Sequence, residues 1–395
     1  MDRIIAAAIL LALLASCTQK KNVVELQNQM KGKMKATAKL MNTGEKKFPL
    51  DSISAPRIRY VQILDDGNNN KSLTFLNTYA NAIYVYDYNT LGLKKIVKFS
   101  KKDKEGINVP LGYYIKNFDS IYIYNKTNNE LALINDSGRV VSRISLINKQ
   151  SFHDLSWIYR YPQYYPSTTA PVVGAGQQLI FPGQYMLSLP DSIAGRFRFE
   201  AHVDLNNDSV RFFRQYPPAL YGNNIFWENE GLFTNVYSDV APDNKMIYSF
   251  PVSHDVFVAD NDKEGYTSIY GGSNEAGAIT SFEKKMPSEE LQLRVCKTDL
   301  YAAIRYDRYR KVYYRFLRKA MPEATYTSAF KDKPLSVVMF DEHFKYMGET
   351  IIGTCDNFNW ENAFVTEEGL NIEYIDKKDL SESHLYLKIF KPANL

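Results

Sequence analysis

The chain has 395 residues, 45% hydrophobic and 23% charged, which excludes a disordered chain and a polytopic membrane protein. Lys+Arg exceeds Asp+Glu by 48 − 44 = 4, too small a surplus for a nucleic-acid binder. The unusual numbers are 29 Tyr and 22 Phe, because aromatic side chains favour pleated, half-buried strands.

The chain opens with Met1-Asp2-Arg3, the apolar run Ile4 to Ala15, and Ser16-Cys17. That run is too short to span a bilayer but suits the apolar part of a signal peptide. Leu14-Ala15-Ser16-Cys17 resembles a bacterial lipobox, so residues 1–16 read as a lipoprotein signal peptide and Cys17 as the lipidation site. Lipid chains on Cys17 would hold the protein at a membrane without a spanning helix. Residues 17–47 are polar and Lys-rich, and read as the lipidated Cys and a flexible tether, with a loose helix possible over Val24 to Met41. Thr18-Gln19-Lys20-Lys21 lacks the acidic cluster common after the Cys of surface-exported lipoproteins, so the expected location is the periplasmic side of the outer membrane. Of the remaining cysteines, Cys296 and Cys355 read as two thiols rather than a bridge.

From Phe48 the period is two. Ile83-Tyr84-Val85-Tyr86-Asp87 is echoed by Ile121-Tyr122-Ile123-Tyr124-Asn125, and more weakly by Val256 to Asp260 and Ile372 to Asp376. Unbroken apolar alternation marks strands covered on both faces, and the closing Asp or Asn marks turns. A second repeat pairs Leu133–Val141 with Met339–Met347, each an outer-strand hairpin. Gly138 suits a left-handed turn position that Phe344 adopts only at a cost, so the two turns are expected to differ.

Self-similar four-strand units every forty to sixty residues or so are the signature of a β-propeller. The expected fold is all-β, with residues 48–395 as six blades near 58–100, 107–147, 172–215, 232–270, 299–352 and 358–391. Tyr161 to Pro171 and Gly271 to Leu293 become long connections between blades. A strand at Phe48-Pro49-Leu50 closes the ring on the last blade.

Several stretches resemble an uncharacterised family of Bacteroidetes lipoproteins known only as a domain of unknown function. They are Phe118–Tyr124, Ser249–His254, Tyr306–Phe316, Gly348-Glu349-Thr350 and Glu368-Gly369-Leu370. The resemblance implies a six-bladed propeller and a cell-envelope location, and carries over no catalytic residue.

The densest functional cluster is Arg305-Tyr306-Asp307-Arg308-Tyr309-Arg310-Lys311, continuing to Tyr313-Tyr314-Arg315. Arginine forks and tyrosine rings together suit anions and sugar faces. Arg305, Tyr306, Arg308, Tyr314, Arg315 and His254 are therefore the candidate ligand-binding residues at the propeller mouth. The competing reading is a turn capped by Asp307, with arginines stapling blades and tyrosines packed between them. Asp260, Asp262 and Glu264 resemble half of a calcium loop, but Gly271 stands where the bidentate Glu belongs, so they are only a weak metal candidate. No phosphate loop, nucleophile elbow or Cys-x-x-Cys pair is present, and no cofactor is expected. The sequence therefore points to a binding module for an envelope protein or glycan. The alternative is a propeller glycan hydrolase or lyase with its site at the channel mouth.

Overall fold

The computed structural model describes residues 22–395 except 57, 66–69, 103–105, 149, 188, 228–231 and 380. Cys17 and the signal peptide lie outside the described residues. Six four-stranded antiparallel sheets occupy residues 61–98, 110–145, 173–213, 237–270, 300–354 and 358–394. They are blades 1 to 6 of a six-bladed β-propeller. In blades 1 to 5 the first strand lies innermost.

Blade 6 is completed by the N-terminal part of the chain. Ala38–Pro49 pairs antiparallel with His384–Asn394, from Ala38 opposite Asn394 to Pro49 opposite His384. The closing strand thus begins at Ala38 rather than Phe48, and the segment read as tether is built into the fold. No helix forms over Val24 to Met41. Instead Glu25–Leu26 pairs with Ile279–Thr280, and Asn28 donates to the Ser273 and Ala276 carbonyls at 2.8 and 2.9 Å.

The tyrosines explain the composition. Their rings fill the spaces within and between blades, as in the Phe75–Tyr84 stack at 5.1 Å and the Tyr124–Phe181 and Phe199–Tyr248 contacts at 5.3 and 5.5 Å. Many hydroxyls find acceptors, a requirement for burying them. Tyr88 donates to Asn371 Oδ1 at 2.7 Å across the ring closure, and Tyr216 to the Thr234 carbonyl at 2.7 Å.

The strand echoes share a class rather than a place. Ile83–Asp87 lies in the third strand of blade 1, whereas Ile121–Asn125 lies in the second strand of blade 2. Both are central strands covered on two faces. The paired hairpins do occupy equivalent places, the third and fourth strands of blades 2 and 5. Their turns also match, contrary to the expectation: φ is +79° at Gly138 and +61° at Phe344. In each, the first residue's carbonyl accepts from the left-handed residue at 3.0 Å. Phe344 is held there by stacking on Tyr313 at 4.5 Å. At Gly138 a side chain would meet the Lys98 carbonyl oxygen at 1.7 Å, so glycine is required by space as well as by φ.

The connection between blades 4 and 5 carries helix α1 (Ser288–Lys297), with Glu289 and Glu290 in its first turn and Arg294 and Lys297 in its last, as the helix dipole favours. The buried Lys333 ammonium donates to the Val295 carbonyl at 2.6 Å and to the Thr298 carbonyl, and burial pushes its pKa down to about 7. Cys296 and Cys355 are unpaired.

Candidate functional site

The Pro-rich connection between blades 2 and 3 shuts the central channel. Pro162, Pro166 and Pro171 supply no backbone donor to any sheet ladder, which leaves the segment free of one. Ser167 and Ala170 close a tight turn through reciprocal backbone bonds of 3.3 and 3.1 Å. The tip, Thr168 and Thr169, is buried. Thr168 Oγ1 accepts from the Val61 amide at 2.8 Å and donates to Asn362 Oδ1 at 2.7 Å. Arg305 Nη1 donates to the Thr168 carbonyl at 3.1 Å, and the Ser238 amide to that of Thr169 at 3.2 Å. One turn therefore bonds to the inner strands of blades 1, 4, 5 and 6, leaving a cup at each end of the channel.

The upper cup, where the inner strands begin, holds about 640 Å³ and takes lining residues from all six blades. Its charged lining is Arg59, Arg318 and Lys331 against one carboxylate, Glu361. Arg318, at the end of the second strand of blade 5, is 5% exposed. Its guanidinium lies 5.4 Å from the Trp360 ring centre, and its Nε and Nη2 have no acceptor. Tyr237 meets Trp360 edge-on at 5.3 Å, while Tyr165 and Phe330 are exposed at the rim. Water reaches Glu361, but protein walls it closely enough to raise its pKa, against the pull of Arg318 and Arg59.

The lower cup, where the inner strands end, holds about 480 Å³. Here Arg305, Tyr306 and Arg308 come together as the sequence suggests. Most of their charge is matched within the protein. Arg305 pairs with buried Asp239 at 3.3 Å, and Asp239 Oδ2 also accepts from the Tyr306 amide at 2.8 Å. Burial raises the Asp239 pKa, and Arg305 opposes the rise. Lys71 pairs with Glu367 at 2.7 Å and Asp65 at 3.4 Å. Arg308 lies over the Tyr309 ring at 5.1 Å.

The other candidates lie away from both cups. Tyr314 is buried and donates to Asp307 Oδ2 at 3.1 Å. Asp307 caps the turn, accepting from the Tyr309 and Arg310 amides at 3.0 Å each. Arg315 is fully buried and staples blade 5 to blade 4. It donates to Ser249 Oγ at 3.0 Å and to the carbonyls of Ser253, Gly271, His254 and Phe250 at 2.8, 2.8, 3.1 and 3.4 Å. His254 accepts at Nδ1 from Tyr301 Oη at 2.9 Å and donates from Nε2 to the Leu26 carbonyl at 3.2 Å. Burial pushes its pKa down to about 4, so it is neutral and structural. Asp260 is turned to Lys263 at 2.9 Å and Glu264 to Arg198 at 3.3 Å, while Asp262 stays in the same turn. Among the described residues no His/Cys/Asp/Glu cluster is arranged to hold a metal ion.

Six blades, a strand from each end of the chain in the last of them, and a channel stopped at its middle define a plugged six-bladed propeller. The match to the family model described as a domain of unknown function (DUF4221) covers residues 37–351, and the chain belongs to that family. Its fold is similar to a crystal structure of a family member from Bacteroides vulgatus, with a TM-score of 0.77 at 19% identity, covering 91% of this chain and 99% of that one. It is also similar to a Bacteroides fragilis protein named as an inferred exported protein, with a TM-score of 0.53 at 7% identity over 90% and 95% of the two chains. No curated protein matches the sequence. Among the described residues no helix is long and apolar enough to cross a membrane.

Proposed function

We propose that the protein is a non-catalytic binding module of the cell envelope, carried on lipidated Cys17 at the outer membrane and facing the periplasm, which takes its ligand at the upper mouth of the propeller. The observation that supports this most is the composition of the upper cup: three cations, one carboxylate, and a buried arginine with two unpartnered N–H groups. Glycoside hydrolysis in its usual form needs two carboxyl groups about 5 to 10 Å apart. At the lower mouth the carboxylates of Asp239 and Asp65 are already paired with Arg305 and Lys71. The plug keeps a ligand from passing through the channel, which suits capture better than processing of a threaded chain.

The test is in-cell cross-linking of the lipidated protein, with mass spectrometry of what co-purifies, alongside incubation with envelope glycans. Saturable capture of a protein or glycan without new products is expected. Turnover that disappears in Glu361→Gln overturns the non-catalytic reading.

A further inference from the structure

We infer that the upper cup binds an acidic sugar, with the sugar's carboxylate on Arg318 and its ring against the aromatic rim. This rests on the binding reading above and names the ligand class.

Arg318 carries the argument. Buried donors in folded proteins are nearly always satisfied, and the arginine three residues earlier on the same strand, Arg315, meets five acceptors. Arg318 is 5% exposed against 0% for Arg315, yet its Nε and Nη2 meet none. These two nitrogens share one edge of the guanidinium, the edge that receives both oxygens of a carboxylate in side-on pairing. Both nitrogens are enclosed by protein here, so a carboxylate reaches them once the guanidinium turns on the Trp360 ring toward the cup.

The surroundings select the rest of the ligand. Arg59 and Lys331 add positive charge, although Lys331 also lies 3.6 Å from Asp356. Tyr165, 39% exposed with the Lys126 ammonium 4.8 Å over its ring, and Phe330, 54% exposed, are the aromatic rings at the rim available to the C–H face of a sugar ring. A cup of about 640 Å³ has the size of a small-ligand site. The plug closes it below, so the acidic residue enters as a chain end. On its open side the cup shares Ile58, Arg59 and Ile375 with a cleft of about 770 Å³ between blades 1 and 6, with Tyr79 at its lip. The remainder of an oligosaccharide can leave along that cleft.

The experiment is calorimetric titration of the full mature chain with tetragalacturonate and with its methyl ester, which keeps the rings and removes the charge. The acid should bind at least about tenfold more tightly than the ester, the scale of a charge-assisted bidentate contact. Arg318→Gln should lose that preference, Arg318→Lys should restore little of it because it lacks the fork, and Glu361→Gln should strengthen acid binding. Unchanged circular dichroism and melting of each variant separate lost binding from lost fold. Equal binding of acid and ester, no saturable binding of either, or full acid preference in folded Arg318→Gln overturns the inference. A peptide with a free C-terminal carboxylate that binds more tightly than both tetragalacturonate and its own amide overturns the sugar class. Mass spectrometry of the titrated mixture keeps the two readings apart. Cleaved fragments sink the non-catalytic reading, whereas uncleaved sugar bound without acid preference sinks only this inference.

Discussion

Both mouths of the channel carry three basic side chains, but the lower lines them with three carboxylates and the upper with one. At the lower mouth Arg305 faces Asp239 and Lys71 faces both Glu367 and Asp65. At the upper mouth Arg318 has a ring beneath it and no acceptor on one whole edge. A cation matched by its own protein stabilises the fold and has little left to offer a ligand. A buried cation left unmatched weakens the fold and favours whatever anion arrives. Charge density in the sequence therefore locates a mouth, and pairing decides which mouth binds.

The sharpest way to break the comparison is to remove the same charge at each end. Arg305→Met strips the partner from buried Asp239 and should cost about 3 kcal/mol, read as a lower denaturant midpoint. Adding Asp239→Asn should recover much of that loss, because the orphaned carboxylate is its main source. A loss below about 1 kcal/mol would mean that the lower pair is not structural.

The plug comes next, since it separates the two cups. Thr168→Val keeps the shape of the tip but removes the acceptor of the Val61 amide and the donor to Asn362. Leaving those buried groups unpaired should cost about 2 kcal/mol. Hydrogen exchange at the Val61 amide should accelerate with it; unchanged protection would place the tip outside the channel wall.

Much of the fold was readable because central strands are covered on both faces and cannot hide their alternation, as in Ile121–Asn125. The blade phase was not readable, since second and third strands share that cover and look alike. The closing strand was read only at its end, Phe48–Pro49, and the stretch from Ala38 was missed for the opposite reason. As the outermost strand of blade 6 it buries Ala38, Leu40 and Phe48 and exposes much of the rest, so Lys39, Lys46 and Lys47 read as a solvated tether. At the site, Arg305, Tyr306 and Arg308 stood out by density, whereas Arg318 lies on one blade and Trp360-Glu361 on the next, with no cluster around either. One signal was present. Val312–Arg318 is a fully buried strand holding two arginines three residues apart, hence on opposite faces, and each must find a partner in a different place.

A smaller effect comes from acid. His254 ties Tyr301 to Leu26 of the Glu25–Leu26 strand, and its folded pKa is pushed down to about 4. Below about pH 6.5 the unfolded chain takes up a proton that the folded one refuses, so stability falls as pH drops from about 6.5 toward 4. One proton contributes about 1 kcal/mol over the unit from pH 6.5 to 5.5. His254→Gln should remove that share of the slope in melting curves across the window. An unchanged slope would show that the imidazole is protonated in the fold.

The smallest expected change is the most informative. Arg318→Met loses a stacking contact with Trp360 worth about 0.5 to 1 kcal/mol. It also relieves two buried donors that have no acceptor, and methionine fills similar space. The two effects oppose each other, so the denaturant midpoint should move by no more than about 1 kcal/mol in either direction, against about 3 for the same substitution at Arg305. A loss as large as that of Arg305→Met would mean that Arg318 is matched inside the protein after all, and the upper cup would then have no more claim to a ligand than the lower one. A near-silent substitution at a side chain this deeply buried is the behaviour expected of a residue placed for something outside the chain.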